Sequence, residues 1–145
     1  MIKEINFDMD GTIANFYGYP LWLECLEEED TLPYEIAEPL FNFSSFARIL
    51  NNLQKDGWTI NIISWTSKSG SDEFNAEIAD AKLEWLAEHL PSVTFDRISI
   101  VPYGTPKSLF GNGILFDDEE RNRIEWDGTA YDVENLLSVL KTLAL

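Results

Sequence analysis

An alternating apolar stretch at the start of the chain, Met1 to Phe7, stops at two carboxylates one residue apart: Phe7-Asp8-Met9-Asp10-Gly11-Thr12. The alternation predicts a β-strand, and Gly11 permits a tight turn directly after it. Two acids therefore stand at the C-terminal end of a strand. In open α/β sheets that edge is where ligands bind. Two carboxylates held there cost stability unless a metal ion or a lysine shares them. This stretch narrows the possible architectures more than any other.

The rest of the chain supplies a matching frame. Asn15 to Phe43 holds Gly18, Pro20, Pro33 and Pro39, many aromatics and the acid run Glu27-Glu28-Glu29-Asp30. Short helices are expected at Leu21–Glu29 and Tyr34–Leu40, and a connection this long reads as a small lid. The acid run reads as a solvated helix face. Ser44 to Asp56 places Phe46, Ile49, Leu50 and Leu53 at helical spacing, with Gly57 as a stop. Trp58 to Ser64 is nearly continuously apolar, as in a buried parallel strand. A loop at Ser67–Ser71 leads into a long helix ending near Leu90-Pro91. Strands follow at Arg97–Val101 and Gly113–Phe116, then a helix to Trp126. A short strand at Thr129–Tyr131 and a helix at Asp132–Leu143 close the chain. Strands alternating with helices predict an α/β, doubly wound, Rossmann-like parallel sheet in the order 3-2-1-4-5. Residues 1–145 read as a single domain, with residues 15–43 as a small helical cap inserted after strand 1.

Composition sets the limits on function. The 145 residues carry a formal net charge of −16, which argues against a partner that is a nucleic-acid polymer. A small anionic substrate is still accessible if a metal and one or two lysines focus positive potential locally. Cys25 is the single cysteine, so neither an intrachain disulfide nor a cysteine zinc cluster is available; it reads as a packing residue. Lys3 and Glu4 interrupt any secretory signal, and no apolar run approaches the ~20 residues of a membrane span. The expectation is a cytoplasmic protein with no membrane partner.

Four features share one placement in such a sheet. Asp8 and Asp10 end strand 1, Ser64 ends strand 2, Lys107 follows strand 3, and Asp117 and Asp118 end strand 4. All of these lie on one sheet edge, so residues more than a hundred apart can converge. The chemistry this set supports is phosphoryl transfer. One carboxylate can attack phosphorus, and a second can protonate the leaving oxygen and then activate water. Two anions need a hard cation to approach a phosphate, and Mg2+ suits few carboxylates plus waters. A hydroxyl and an ammonium can hold the other phosphate oxygens.

Asp8-Met9-Asp10-Gly11-Thr12, a serine after an apolar strand, a lysine, and Asp117-Asp118 after a later strand resemble the four motifs of the haloacid dehalogenase (HAD) superfamily of phosphohydrolases. The resemblance spans Asp8 to Asp118. It implies Asp8 as nucleophile and Asp10 as general acid/base, with Thr12 helping to hold Asp10 at the substrate site. It implies Ser64 as a phosphoryl ligand and Lys107 as the neutralising cation. Mg2+ would be held by Asp8, by Asp10 through its backbone carbonyl, and by Asp118, with Asp117 as an outer partner. An acid at Asp10 is typical of members that are phosphatases. Within the superfamily the chain looks most like the small 5'(3')-deoxyribonucleotidase group, through Asp8 to Ala14, Lys82-Leu83-Glu84-Trp85-Leu86 with His89-Leu90, and the Lys107-to-Asp117 spacing. The insert after the first motif is shorter than that group's helical cap.

Lys82 competes with Lys107 for the lysine role. It falls within the apolar stripe of Ile78, Ala81, Trp85 and Leu86, so it points inward. With the helix starting near Asp72, however, it lies about 15 Å along the axis at 1.5 Å per residue, which favours Lys107. Lys68 reads as a loop charge and His89 as a helix-end residue. The expected function is a Mg2+-dependent phosphatase acting on a small phosphomonoester, with a nucleoside monophosphate as one candidate, through an aspartyl-phosphate. The alternatives are a phosphatase for a sugar phosphate or another metabolite, a binding or regulatory module with little turnover, and an end-healing phosphatase on nucleic acid, which the charge disfavours. Phe16, Tyr17, Tyr19, Trp22 and Trp65 are candidates either to stack on a flat ring or to seal the lid.

Overall fold

A computed structural model describes residues 2–145 of the chain. Met1, the first residue of the expected opening strand, lies outside them. Five strands form one all-parallel sheet: β1 (Glu4–Phe7), β2 (Thr59–Trp65), β3 (Arg97–Val101), β4 (Ile114–Phe116) and β5 (Thr129–Tyr131). Their order is β3-β2-β1-β4-β5, the expected doubly wound arrangement. The chain winds outward from β1 to β3, then crosses back to β4. The direction reverses between β1 and β4, and the crevice at such a switch point is where this architecture places its ligands.

The helices follow from local sequence. In the insert, α1 is Trp22–Glu27 and α2 is Leu32–Ile36; the longer α3 (Phe43–Lys55) and α4 (Asp72–His89) follow, with α5 (Glu120–Glu125) and α6 (Leu136–Leu143) near the end. Asn42 caps α3 by accepting from the N–H groups of Ser44 and Ser45, and Ser71 caps α4 by accepting from Phe74 N–H; each satisfies a donor that the first turn leaves unpaired. The second insert helix forms earlier than expected. Pro33 sits in its first turn, where its fixed φ favours helix initiation. Pro39 keeps the preceding residue out of helical geometry, so the chain runs extended and Leu40 N–H bonds to Ile13 C=O at 2.9 Å. The closing helix likewise starts late: Asp132 caps a 3-10 turn at Val133–Asn135, and α6 begins at Leu136.

Side chains of alternate parity divide the sheet into two faces. Ile5, Phe7, Ile60, Ile62 and Phe116 pack in one cluster with Phe46, Leu50 and Leu53 of α3, Trp85 and Leu86 of α4, and Leu136 and Leu140 of α6. Each of these fully buried apolar side chains contributes roughly 1.5–3 kcal/mol. On the other face Ile63 and Leu115 pack against Trp126. That face also buries Asn6 and Asn61. Asn6 Nδ2 donates to the carbonyls of Asn112 and Ile114 at 2.7 and 3.1 Å, and Asn61 donates to Asn6 Oδ1 at 3.0 Å. This amide pair ties the crossover before β4 to the underside of β1. Gly111 in that crossover lies so close that a Cβ would overlap the Asn6 amide.

Register places the site. Phe7 stands opposite both Ile62 and Phe116, so Asp8 and Asp117 leave the sheet side by side. Among the described residues no helix is long and apolar enough to cross a membrane. Cys25 is buried, the acid run Glu27–Asp30 is exposed, and His89 ends α4 with its ring 4.5 Å from that of Trp85.

Candidate active site

The turn after β1 closes on a single carbonyl. Met9 C=O accepts from the N–H groups of Thr12, Ile13 and Ala14 at 3.0–3.1 Å, and Gly11 takes φ +80°. That left-handed value suits glycine, and a Cβ there would also press on the Asp118 carboxylate. The turn holds the Asp8 carboxylate between two donors: Thr12 Oγ1 at 3.0 Å on Oδ2 and Lys107 Nζ at 2.9 Å on Oδ1. Thr12 is fully buried and Asp118 N–H donates to its hydroxyl at 3.2 Å. The geometry therefore sets Thr12 on Asp8 and Asp118, not on Asp10 as expected, and its burial leaves it no substrate contact.

Lys107 opens a 3-10 turn in the crossover from β3 to β4. Its ammonium bridges Asp8 and Asp117, the latter at 2.7 Å. Burial opposes its charge, but Asp8 and Asp117 outweigh that and raise its pKa above the ordinary lysine value. Asp117 is fully buried and also accepts from Asn122 Nδ2 at 3.1 Å and from Glu119 N–H at 3.0 Å. Asn122 had no role in the sequence reading. Its one signal is position, five residues after Asp117 on the helix that follows β4.

Asp8, Asp117 and Asp118 each offer a carboxylate oxygen within 4.8 Å of the others. An all-oxygen set of this kind matches a hard divalent cation. Crowding shows in the acidities. Burial first, and the Asp8 charge second, push Asp117 up to about 6 and Asp118 up to about 8. The carboxylate of Asp10 lies outside this cluster, so a metal contact from Asp10 is left to its backbone carbonyl. Burial raises the pKa of Asp10, with Lys82 opposing.

Lys82 is the main departure from expectation. Its Nζ lies 3.0 Å from Asp10 Oδ2, 2.7 Å from Ser64 Oγ and 2.7 Å from the Trp65 carbonyl oxygen. The axial distance along α4 was sound, but its origin was not. Thr66–Ser71 carries the chain past the strand ends before α4 starts, so the first turns stand above the sheet. Phe74 and Ile78 there pack with Phe16 and Tyr34 of the insert. Lys82 lies on a lower turn, beside Ser64. The two lysines thus reach one edge from opposite sides, Lys82 from α4 and Lys107 from the β3–β4 crossover. Four carboxylates (Asp8, Asp10, Asp117, Asp118) face two ammoniums, an excess that a divalent cation would neutralise.

The edge opens into a cleft of about 260 Å³ whose lining includes Asp8, Asp10, Lys107, Tyr17, Trp22 and Trp65. All seven expected site residues gather at this edge. The aromatics divide. Phe16 and Tyr34 are buried in the seal between the insert and α4, while Tyr17 and Trp22 present partly exposed rings 5.1 Å apart. Tyr19 does not line the cleft. Trp65 donates from Nε1 to Thr105 C=O at 2.9 Å, and Lys107 Nζ and Arg121 Cζ lie 5.5 and 5.0 Å from its ring centroid. Tyr103, which no sequence motif marks, completes that wall 4.9 Å from Trp65. Glu29 of the insert accepts from Ser71 N–H and Oγ–H at 2.9 and 2.7 Å, and Trp85 Nε1 donates to Ala37 C=O at 2.7 Å, so the insert is pinned to α4 at both ends. No protein-family model matches the chain, and no curated protein is significantly similar to it.

Proposed function

We propose that the protein is a metal-dependent phosphohydrolase of the HAD type that cleaves a small phosphomonoester through an aspartyl-phosphate at Asp8. The observation that carries this reading is the surroundings of Asp8. One carboxylate accepts from Lys107 and Thr12, shares an oxygen cluster with Asp117 and Asp118, and opens onto the cleft beside Asp10. A carboxylate fixed in this way is a nucleophile already oriented, and the surrounding cations offset the repulsion between two anions. Asp8, Asp117, Asp118 and the Asp10 backbone carbonyl would hold Mg2+. When bound, the ion would supply positive charge to the phosphoryl oxygens.

The chain's own residues divide the remaining work. Asp8 forms the bond to phosphorus while the ester bond breaks. Asp10 gives a proton to the departing oxygen and then takes one from the water that releases phosphate, a role that burial assists by raising its pKa. Lys107 neutralises Asp8 and Asp117, while Ser64, the expected phosphoryl ligand, is buried below the cleft lining and accepts from Lys82. The test is phosphate release from an aryl phosphate with Mg2+, comparing wild type with Asp8→Asn. Turnover by wild type that vanishes in a folded Asp8→Asn protein is expected. Equal rates would defeat the assignment, and an inactive wild type would favour a binding module.

The cleft favours a substrate with a flat ring. Tyr17 and Trp22 from the insert face the same cleft as Trp65 and Tyr103, and stacking a base on an aromatic side chain contributes about 1–3 kcal/mol. A nucleoside monophosphate should therefore exceed a pentose phosphate in kcat/KM. Trp22→Ala should remove much of that advantage, since Trp22 is the largest insert ring lining the cleft, while the Trp65 ring already carries two cations. Equal kcat/KM for the two substrates would move the reading to sugar phosphates.

A further inference from the structure

Lys82 is 2% exposed, and every proton of its ammonium is committed, to Asp10 Oδ2, Ser64 Oγ and the Trp65 carbonyl. An ammonium has three protons and no lone pair. Lys82 therefore has none left for a phosphate. The Tyr34 ring from the insert covers it, with its centroid 5.3 Å from Nζ. A buried cation with a full set of acceptors acts through the groups it holds.

Two consequences follow from the contacts. Ser64 Oγ accepts a hydrogen bond from Lys82 at 2.7 Å, so Lys82 fixes this buried hydroxyl at the end of β2. Asp10 Oδ2 is occupied, while Asp10 Oδ1 has no hydrogen-bond partner among the described residues. One oxygen of the carboxyl is anchored and the other is presented to the cleft.

We propose that Lys82 is a positioning residue that aims Asp10 Oδ1 at the leaving-group oxygen. The proposal rests on the phosphohydrolase reading. In the first half-reaction an Asp8 carboxylate oxygen bonds to phosphorus and the ester P–O bond breaks. The electron pair stays on the leaving oxygen, which takes the proton from Asp10 Oδ1. In the second half, water oxygen bonds to phosphorus, Asp10 takes the water proton, and the electron pair of the broken P–O bond returns to Asp8. Without Lys82, the carboxyl of Asp10 is free to rotate away from the line of transfer.

The test is a series of aryl phosphates whose phenols range from strongly to weakly acidic, assayed with Mg2+ as kcat/KM, which reports the first half-reaction. A good leaving group departs without a proton; a poor one needs it. General acid catalysis contributes on the order of 10²–10⁴-fold. For Lys82→Met, kcat/KM should fall at least ~100-fold more on phenyl phosphate than on 2,4-dinitrophenyl phosphate, and Asp10→Asn should give the same steepened dependence. Lys82→Gln, which keeps one donor for Asp10, should fall between wild type and Lys82→Met. It carries the test alone if the methionine variant does not fold. A loss that is uniform across the series, no loss, or failure of both variants to fold would overturn the proposal and leave Lys82 a structural residue. A wild type inactive on every member would instead strike the phosphohydrolase reading on which the proposal stands.

Discussion

Lys107→Met removes one charge from the most tightly packed part of the site and keeps the side-chain stem. Lys107 is 3% exposed, and its partners Asp8 and Asp117 are 11% and 0% exposed, at 2.9 and 2.7 Å. Breaking a buried pair from one side typically costs ~3–5 kcal/mol, because the abandoned charge remains desolvated. Here two carboxylates are abandoned, with Asp118 beside them, so the upper part of that range is expected. Protonation limits the loss. Asp117 already has its pKa pushed up to about 6 by burial and by Asp8, with Lys107 opposing; removing Lys107 raises it further. A carboxyl whose folded-state pKa is raised destabilises the fold where it is ionised, and that penalty fades as pH falls toward its ordinary value of 3.8. The measurement is urea unfolding of both proteins in chelator. The difference should be ~3–5 kcal/mol at about pH 8 and clearly smaller at about pH 5. A difference below about 1 kcal/mol at the higher pH, the range of a surface ion pair, would refute the reasoning.

The metal-free protein should lose thermal stability as pH rises from the ordinary carboxylate value of 3.8 to the raised value of Asp118, about 8, and more steeply below about 6, where Asp117 also contributes, because the unfolded chain gives up these protons before the folded one does. Mg2+ should remove that slope, and a flat profile in chelator would contradict the account. Gly11→Ala should cost ~1–2 kcal/mol from its left-handed backbone and weaken Mg2+ binding by displacing Asp118; unchanged affinity in a Mg2+ titration would count against Asp118 as a ligand.

The parallel sheet was legible because its strands carry short, strongly apolar runs bounded by turn residues, and the site because acids at strand ends survive no bland explanation in a buried edge. What escaped was set by geometry between elements. The role of Lys82 depends on how far the Thr66–Ser71 loop lifts α4 above the sheet, and no periodicity encodes that height. The burial of Asn6 and Asn61 breaks the apolar pattern of β1 and β2, and only the path of the β3–β4 crossover explains it. Helix α2 lies at Leu32–Ile36 and not at Tyr34–Leu40 because Pro33 favours initiation in its first turn and Pro39 keeps the residue before it out of helical geometry.

The central claim is a covalent bond between Asp8 and phosphorus. The direct measurement is rapid quenching of the enzyme with substrate and Mg2+, trapping of the acyl phosphate by borohydride, and peptide mass mapping. Modification confined to Asp8 in wild type, and absent from Asp8→Asn, is the predicted result. Modification at another residue, or steady phosphate release with none trapped at Asp8 in repeated quenches, would contradict it.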